Sequence, residues 1–311
     1  MKFTCMLNNL TFSILIPTFN AGSEWATALQ AVASQTLNAK YKIIVDSGST
    51  DNTIEIAKSF GFKVISIPKQ EFNHGATRQL LVELSNDADI CIFLTQDAIL
   101  ASADSIKNIV KAFDNPIVGI AYGRQLPHKN AKPLETHARL FNYPDVSEVV
   151  SIADIDKKGF KVFFCSNSFS AYRRSALLHV GGFPSDSIMG EDAIVAAKML
   201  ERGLKKAYVT DATVYHSHTY TLSEEFKRYF DTRVFHEQNR WLIENYGKPT
   251  GEGLKFVKSE IKYIYKNDPK YIFKSIASLG AKWLGYKIGK FYNNIPLTVL
   301  KRISMHRHYW K

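Results

Sequence analysis

Between residues 12 and 97 the chain repeats one pattern: a short, almost unbroken apolar run, a turn, then a stretch with helical spacing. Ile14–Pro17, Lys42–Val45, Val64–Ile67 and Ile90–Leu94 are the runs. Between them, Trp25, Leu29 and Val32 share one face of a stretch from Ser23 or Glu24 to Gln35. Asp51 is positioned to cap a helix reaching Phe60, Gly61 stops it, and Thr77–Leu84 is a third helical stretch. Apolar strands alternating with helices predict an α/β fold built on a doubly wound, mostly parallel sheet. Ligands of such sheets bind at the carboxyl ends of the strands. Those ends carry Thr18–Asn20, Asp46–Ser49 and Thr95–Asp97.

From Leu222 the pattern changes. Ser223–Tyr246 reads as one long helix closed by Gly247, followed by helical segments over Gly253–Lys266 and Pro269–Asn293. The expected organisation is a ligand-binding domain over residues 1–221 and a basic, amphipathic helical extension over 222–311. The formal net charge is +11, and its location matters more than its size. Residues 219–311 hold 18 Lys/Arg and 8 Asp/Glu, a balance of +10, whereas residues 1–218 hold 22 and 21. In the last segment Ile272, Ile276, Leu279 and Trp283 recur at helical spacing, with Lys274, Lys282, Lys287 and Lys290 interleaved. Such a block implies a polyanionic partner: anionic lipid, nucleic acid or a phosphorylated substrate.

No apolar run approaches the ~20 residues of a membrane-spanning helix. Asn8 and Asn9 interrupt the apolar residues after Lys2, which argues against a signal peptide. Cys5, Cys91 and Cys165 lack metal-ligand spacing and fit a reducing compartment rather than a disulfide scaffold. A soluble or peripheral cytoplasmic protein is expected.

The segment V-D-S-G-S-T-D-N-T, Val45–Thr53, is the first with chemistry in it. An acid at a strand end, Asp46, is suited to accept the imide N–H of a uracil or thymine, and Gly48 lets the backbone come close. A tight turn with a helix cap explains the same letters, and for Asp51 that explanation suffices.

Taken with I-L-I-P-T-F-N before it, this segment resembles the opening of the family 2 glycosyltransferases, which have the GT-A fold. N-H-G-A-T-R-Q, Asn73–Gln79, and F-L-T-Q-D-A, Phe93–Ala98, resemble the bacterial rhamnosyltransferase branch. The resemblance runs over residues 12–220. It implies that Pro17, Thr18, Asn20, Asp46 and Gly48 hold the nucleotide of a sugar nucleotide, with Gln96 and Asp97 beside them. It also implies that Arg78 lies near the diphosphate, although a helix-surface arginine would carry the same letter. Such enzymes usually have Asp-x-Asp where this chain has Thr95-Gln96-Asp97, so only Asp97 remains as the carboxylate for Mg²⁺ or Mn²⁺.

In M-G-E-D-A-I, Met189–Ile194, the acidic pair Glu191 and Asp192 opens a helix. The resemblance implies that this pair supplies the catalytic base, Asp192 being the expected member. In Y-H-S-H, Tyr215–His218, His216 is the expected additional metal ligand. His216 and His218, two apart on a strand, would share a face, so either can serve. Cys165–Leu177 and Gly181–Pro184 resemble the family's acceptor-side strand and loop, which implies that Asn167 and Ser168 contact sugar. Glu237–Trp241 resembles the Q-x-x-R-W signature of processive synthases, with a glutamate in the glutamine position. Without spanning segments it reads as part of a helix, and single addition is favoured over polymerisation.

The resemblance therefore implies inverting transfer of a sugar to a saccharide acceptor in surface polysaccharide synthesis. The expected donor is dTDP-rhamnose, and the expected acceptor is lipid-linked at the inner face of the cell membrane. The basic tail would dock on anionic membrane there or form a homo-oligomer interface. A UDP-hexose transferase shares every motif. A nucleic-acid-binding protein fits the charge but lacks a recognition motif, so no nucleic-acid partner is expected. A nucleotidyltransferase would need an N-terminal glycine-rich phosphate loop with a lysine, which is absent.

Overall fold

The computed structural model describes residues 10–247 and 251–311, so Lys2, Cys5, Asn8 and Asn9 lie outside the described residues. Nine strands form one sheet: β1 (Phe12–Thr18), β2 (Tyr41–Asp46), β3 (Lys63–Ser66), β4 (Ile90–Leu94), β5 (Ile99–Leu100), β6 (Val118–Leu126), β7 (Glu148–Val150), β8 (Phe169–Arg173) and β9 (Lys205–Tyr215). The order is β3-β2-β1-β4-β8-β6-β9-β5, with β7 on β9. The first four strands pair in parallel. β8 enters antiparallel between β4 and β6, and β6 and β9 are again parallel.

Alternate residues of the central strands enter opposite cores, which is why their sequence is apolar without a break. Ile14, Ile16, Ile92 and Leu94 pack with Trp25 and Leu29 of α1 (Trp25–Ala33). Leu15 and Phe93 pack with Tyr172, Phe183 and Met199 on the other face. The register of β1 on β2 sets Thr18 beside Asp46 at the sheet's carboxyl edge. Pro17 stands beyond the last β1–β4 pair, Leu15 with Phe93, where a missing N–H costs no ladder bond.

α2 (Thr53–Ser59) and α3 (His74–Leu84) complete the parallel half. α3 begins three residues before the expected Thr77, because the Asn73 side chain accepts from the amides of Gly75 and Ala76 at 3.0 and 2.9 Å. Gly75 is required by space: a Cβ there would lie 1.7 Å from the Pro184 carbonyl oxygen.

The second half carries α4 (Ser105–Lys111), α5 (Pro133–Asn142), α6 (Ile155–Lys158), α7 (Arg174–His179) and α8 (Glu191–Glu201). After residue 221 come α9 (Leu222–Gln238), α10 (Arg240–Tyr246), α11 (Glu252–Asn267), α12 (Ile272–Gly289) and α13 (Leu297–Ile303). The single helix expected over Ser223–Tyr246 is two. At Asn239 the backbone leaves helical geometry, with φ −114° and ψ 46°; its backbone N–H and its side-chain amide both donate to the Phe235 carbonyl, at 2.9 and 3.0 Å, and close α9 there. Glu237 and Arg240 therefore flank a helix junction, paired at 2.6 Å. Phe230, Val234 and Phe235 of α9 share a core with Ala193, Ile194 and Ala197 of α8, so the helical extension is packed onto the sheet unit.

α12 follows the expected stripe in Ile276 and Trp283 but departs from it at Lys282. Its buried face is Ser275, Ser278, Lys282, Gly285 and Gly289. Its backbone runs so close to α9 that a Cβ on Gly285 would sit 2.1 Å from the Phe226 carbonyl oxygen. The apolar residues are left outside: Phe273 is 81% exposed, Trp283 63% and Ile276 56%. Lys282, expected on the charged outer face, is buried and lies 3.4 Å from Glu225 and 3.9 Å from Glu260.

Candidate active site

Asp46 is fully buried, and its carboxylate is the hub of the first loop cluster. Oδ1 accepts from the amides of Gly48 and Ser49 at 3.0 and 2.8 Å, and Oδ2 from the hydroxyls of Thr18 and Ser49 at 2.8 and 2.6 Å. All four acceptor positions are filled, so a nucleobase imide would have to take the place of a donor such as the Ser49 hydroxyl. Gly48 has φ +85°, and a Cβ would meet nothing nearer than 3.9 Å. The glycine is needed for its left-handed backbone, and the space where a side chain would stand is open.

Asn20 accepts from the Thr50 amide at 2.8 Å and its own amide donates to Ser49 Oγ at 2.8 Å. Gln96 clamps the Phe19 backbone from both sides, accepting at 2.8 Å and donating at 3.1 Å. These two residues tie the strand-end loops to one another. Beside them opens a cavity of about 940 Å³ walled by Phe19, Ser47, Lys69, His74, His306 and Tyr309.

Arg78 is neither on the surface nor free for a diphosphate. It is 5% exposed and lies 3.0 Å from Glu191 Oε1. Burial would raise the Glu191 carboxyl, but the Arg78 guanidinium, with His74 and the Asn167 amide, outweighs it and holds the group below its ordinary value. The neighbouring Asp192 goes the other way: burial first, then the Glu191 charge, pushes it up to about 7. Two adjacent acids are thus split into a permanently charged partner of arginine and a half-buried carboxyl that titrates near neutrality.

Asn167 holds this pair in place. Its side-chain amide donates to Glu191 at 3.0 Å and its backbone N–H to Asp192 Oδ2 at 3.2 Å. Its carbonyl oxygen accepts from the Ser170 and Tyr172 hydroxyls at 2.8 and 2.7 Å. With its polar atoms engaged in this way, Asn167 is a positioning residue rather than the sugar contact expected. Ser168, next in the chain, brings its hydroxyl to 3.4 Å from His216 Nε2.

That histidine leads to the third cluster. Asp97 Oδ2 lies 3.4 Å from His216 Nε2 and 3.5 Å from His218 Nε2, and the three ligand atoms fall within 4.8 Å of one another. Gln125 Oε1 stands 2.9 Å from His216 Nδ1 and accepts its N–H, which leaves Nε2 as the ring nitrogen facing Asp97. Burial would raise the Asp97 carboxyl, but the two histidines hold it well below the usual carboxylate range. Burial lowers His218 to about 4, so it is neutral at physiological pH. One carboxylate and two imidazoles form a donor set that fits a divalent transition ion. Both histidines are brought in, where one was expected, and they stand where the missing acid at Thr95 would have contributed.

Sequence reasoning missed His74, His306, Gln125 and Arg139. His74 Nε2 is 3.3 Å from His306 Nδ1, which brings residues 232 positions apart to the edge of the acidic pair. His74 lay inside a quoted motif, whereas Gln125 sits in a strand with no local signature.

A strand-end loop cluster, a metal-type triad and an isolated carboxyl near neutrality all lie along one sheet edge. The family profile for glycosyl transferase family 2 matches residues 13–181, and the chain belongs to that family. An O-antigen chain rhamnosyltransferase, RfbN, of Salmonella typhimurium is 48% identical over 302 residues, covering 97% of this chain and 96% of the relative. WbaN of Salmonella anatum, another O-antigen chain rhamnosyltransferase, is 44% identical with 96% of each chain covered. Among solved structures, a Pyrobaculum calidifontis mannosyltransferase in complex with GDP-Man and Mn²⁺ superposes with a TM-score of 0.56 at 17% identity, covering 96% of this chain and 84% of that one. Staphylococcus aureus TarS in complex with UDP-GlcNAc gives 0.54 at 12% identity, with 92% of each chain covered. At such identities the likeness is one of fold, and the fold is GT-A.

Proposed function

We propose that this glycosyltransferase moves rhamnose from dTDP-rhamnose, with inversion, to a hydroxyl of a lipid-linked saccharide during surface polysaccharide synthesis. The observation that carries the mechanism is the bridge Asn167–Ser168, which joins a carboxyl titrating near neutrality to the Asp97–His216–His218 triad. The sugar follows from the two relatives similar over nearly the whole chain.

Asp46 and Asn20 hold the loops around the nucleoside, and the cavity beside Phe19 and Ser47 takes the donor. Asp97, His216 and His218 would hold Mn²⁺ in preference to Mg²⁺, because two of three ligands are imidazoles. A bound ion there supplies charge against the departing diphosphate. Asp192 takes the proton of the acceptor hydroxyl, whose oxygen attacks the anomeric carbon from the side opposite the diphosphate. The carbon–oxygen bond to the diphosphate breaks in the same step. Glu191 and Arg78 keep the neighbouring charge fixed, so that Asp192 takes up the proton.

The helical hairpin α11–α12 is read as the membrane-facing surface, at the cytoplasmic side. Residues 251–291 carry nine lysines against three acids, so this apolar face is framed by cations, as anionic lipid requires and a buried oligomer interface does not. Tyr265, Phe273 and Trp283, 75%, 81% and 63% exposed, would enter the headgroup region. Among the described residues no helix is long and apolar enough to cross a membrane.

Incubation with a panel of dTDP-, UDP- and GDP-sugars and Mn²⁺, without acceptor, tests the donor. Slow release of rhamnose from dTDP-rhamnose alone is expected, and faster hydrolysis of a UDP-hexose would replace the rhamnose reading.

A further inference from the structure

Between α5, the start of α9 and α12 lies a second, smaller cavity of about 100 Å³. It is separate from the large cavity beside Phe19 and Ser47, and the metal-type triad reaches it through His218. Lys132, Arg139, Arg228, Lys274 and Lys282 line it, against Glu135 and Glu225. Glu225 is shared by Arg228 at 3.3 Å and Lys282 at 3.4 Å, and Glu135 accepts from Ser217 at 3.3 Å. Lys132 and Lys274 have no acidic partner among the described residues, so the notch has an excess of positive charge.

An independent observation points to a ligand. Ser278, 3% exposed, lines the notch with a buried hydroxyl that has no hydrogen-bond partner. A buried hydroxyl without a partner is costly unless something supplies one. The Arg228 guanidinium is held 4.4 Å from the Tyr220 ring centroid, a preset cation at the rim. Arg139 donates to Gln125, the residue that orients His216, so the floor of the notch touches the metal-type site. On the outer side Lys274 is followed on α12 by the exposed Ile276 and preceded by the exposed Phe273. One end of the notch therefore faces the reacting centre and the other an apolar helix face.

We propose that this notch binds the phosphate or diphosphate that joins the acceptor saccharide to its lipid, with the first part of the lipid chain leaving along Phe273 and Ile276. The proposal rests on the reading of the protein as a transferase acting on a lipid-linked saccharide, and it names the residues that hold that acceptor. Two cations without partners, a hydroxyl without a partner and a nearby apolar exit match an anionic headgroup with an attached chain. The donor's diphosphate is the other source of the same chemistry, and of the triad His218 lines this notch.

The test is titration of the full-length protein with farnesyl diphosphate in chelator, so that the triad cannot recruit a diphosphate through a metal. Farnesol and inorganic pyrophosphate are the parallel probes. Farnesyl diphosphate should bind more tightly than either. The double variant R228Q/K274Q, changed at exposed side chains, should weaken it about tenfold or more. Ser278→Ala should weaken it several-fold without loss of thermal stability, because a hydroxyl without a partner contributes nothing to the fold itself. Equal binding of farnesol, unchanged affinity in both variants, or displacement by dTDP without metal would each overturn the proposal. These readouts need no sugar transfer. Failure of the functional reading would appear separately, as absence of rhamnose release from dTDP-rhamnose while farnesyl diphosphate still binds.

Discussion

Replacing Asp192 by Asn should remove activity and stabilise the fold in the same molecule. The Asp192 carboxyl moves from an ordinary 3.8 to about 7 in the folded chain. Between those values the folded state holds a proton that the unfolded chain has released, so stability falls as pH rises through that window. At ~1.4 kcal/mol per unit the charged carboxylate costs the fold up to about 4 kcal/mol at pH 8. Asn carries no charge but has one carbonyl oxygen for the two amides, of Asn167 and Ala193, that now donate to the carboxylate. Losing one such bond costs about 1 kcal/mol. The net gain is therefore about 1–3 kcal/mol, or roughly 2–6 °C in melting temperature for a chain of this size. Turnover should fall ~10²–10⁴-fold with donor affinity unchanged, because a base acts in the chemical step. The assay is calorimetric melting of both proteins at pH 8 and pH 5, with donor titration alongside. The stabilisation should be present at pH 8 and shrink at pH 5, where the wild-type group is already protonated. A variant less stable than wild type at pH 8, or equally displaced at both pH values, would refute the reasoning.

Glu191→Gln should do the opposite, destabilising by about 3–5 kcal/mol because it strands the buried Arg78 guanidinium; urea unfolding measures it. The wild-type turnover number should rise with pH through about 7 as Asp192 loses its proton, and a flat profile from pH 5 to 9 would remove it as the base. Chelator should abolish transfer and Mn²⁺ restore it, whereas His216→Ala and His218→Ala should each weaken Mn²⁺ binding in the presence of dTDP, read by electron paramagnetic resonance. Charge reversal at Lys274, Lys287 and Lys290 should reduce sedimentation with anionic but not neutral vesicles; an oligomer shift without lipid preference would make α12 a subunit interface. Gly285→Ala should cost at least ~1–3 kcal/mol, since its methyl group would strike the Phe226 carbonyl.

The parallel half of the sheet is legible because β1, β2 and β4 are largely buried on both faces and carry their apolar signal alone, while the edge strand β3 is marked only by Val64 and Ile65. Ile90–Leu94 was bounded to the residue, since all five side chains are buried and no polar position blurs the ends. β6 to β9 were not placed, because they pair across long separations and mix parallel with antiparallel neighbours. In the site, Asp97 and His216 lie 3.4 Å apart, and Asp192 connects to them through Asn167 and Ser168. Arg78, Gln96 and Asn167 were in view too, yet their partners are Glu191, the Phe19 backbone and the acidic pair, and no local pattern names a partner. In α12 the residue that departs is Lys282, read on the charged outer face and found buried beside Glu225 and Glu260. An apolar stripe ordinarily turns inward, but here close backbone contact through Gly285 and Gly289 selects the small-residue face for burial and turns Phe273, Ile276 and Trp283 out.

The glycine contact between α9 and α12 has a geometric consequence. α9 starts four residues after His218, and its 17 residues span ~25 Å of rigid rod. With α12 locked against that rod at backbone distance, a bilayer docked on Phe273 and Trp283 as proposed would lie at a fixed distance from the Asp97–His216–His218 triad. The scaffold would then act as a ruler. A hydroxyl too few sugars from its lipid falls short of Asp192, and one too many sugars away overshoots it, so acceptor length would be selected by the height of a scaffold before any sugar is recognised.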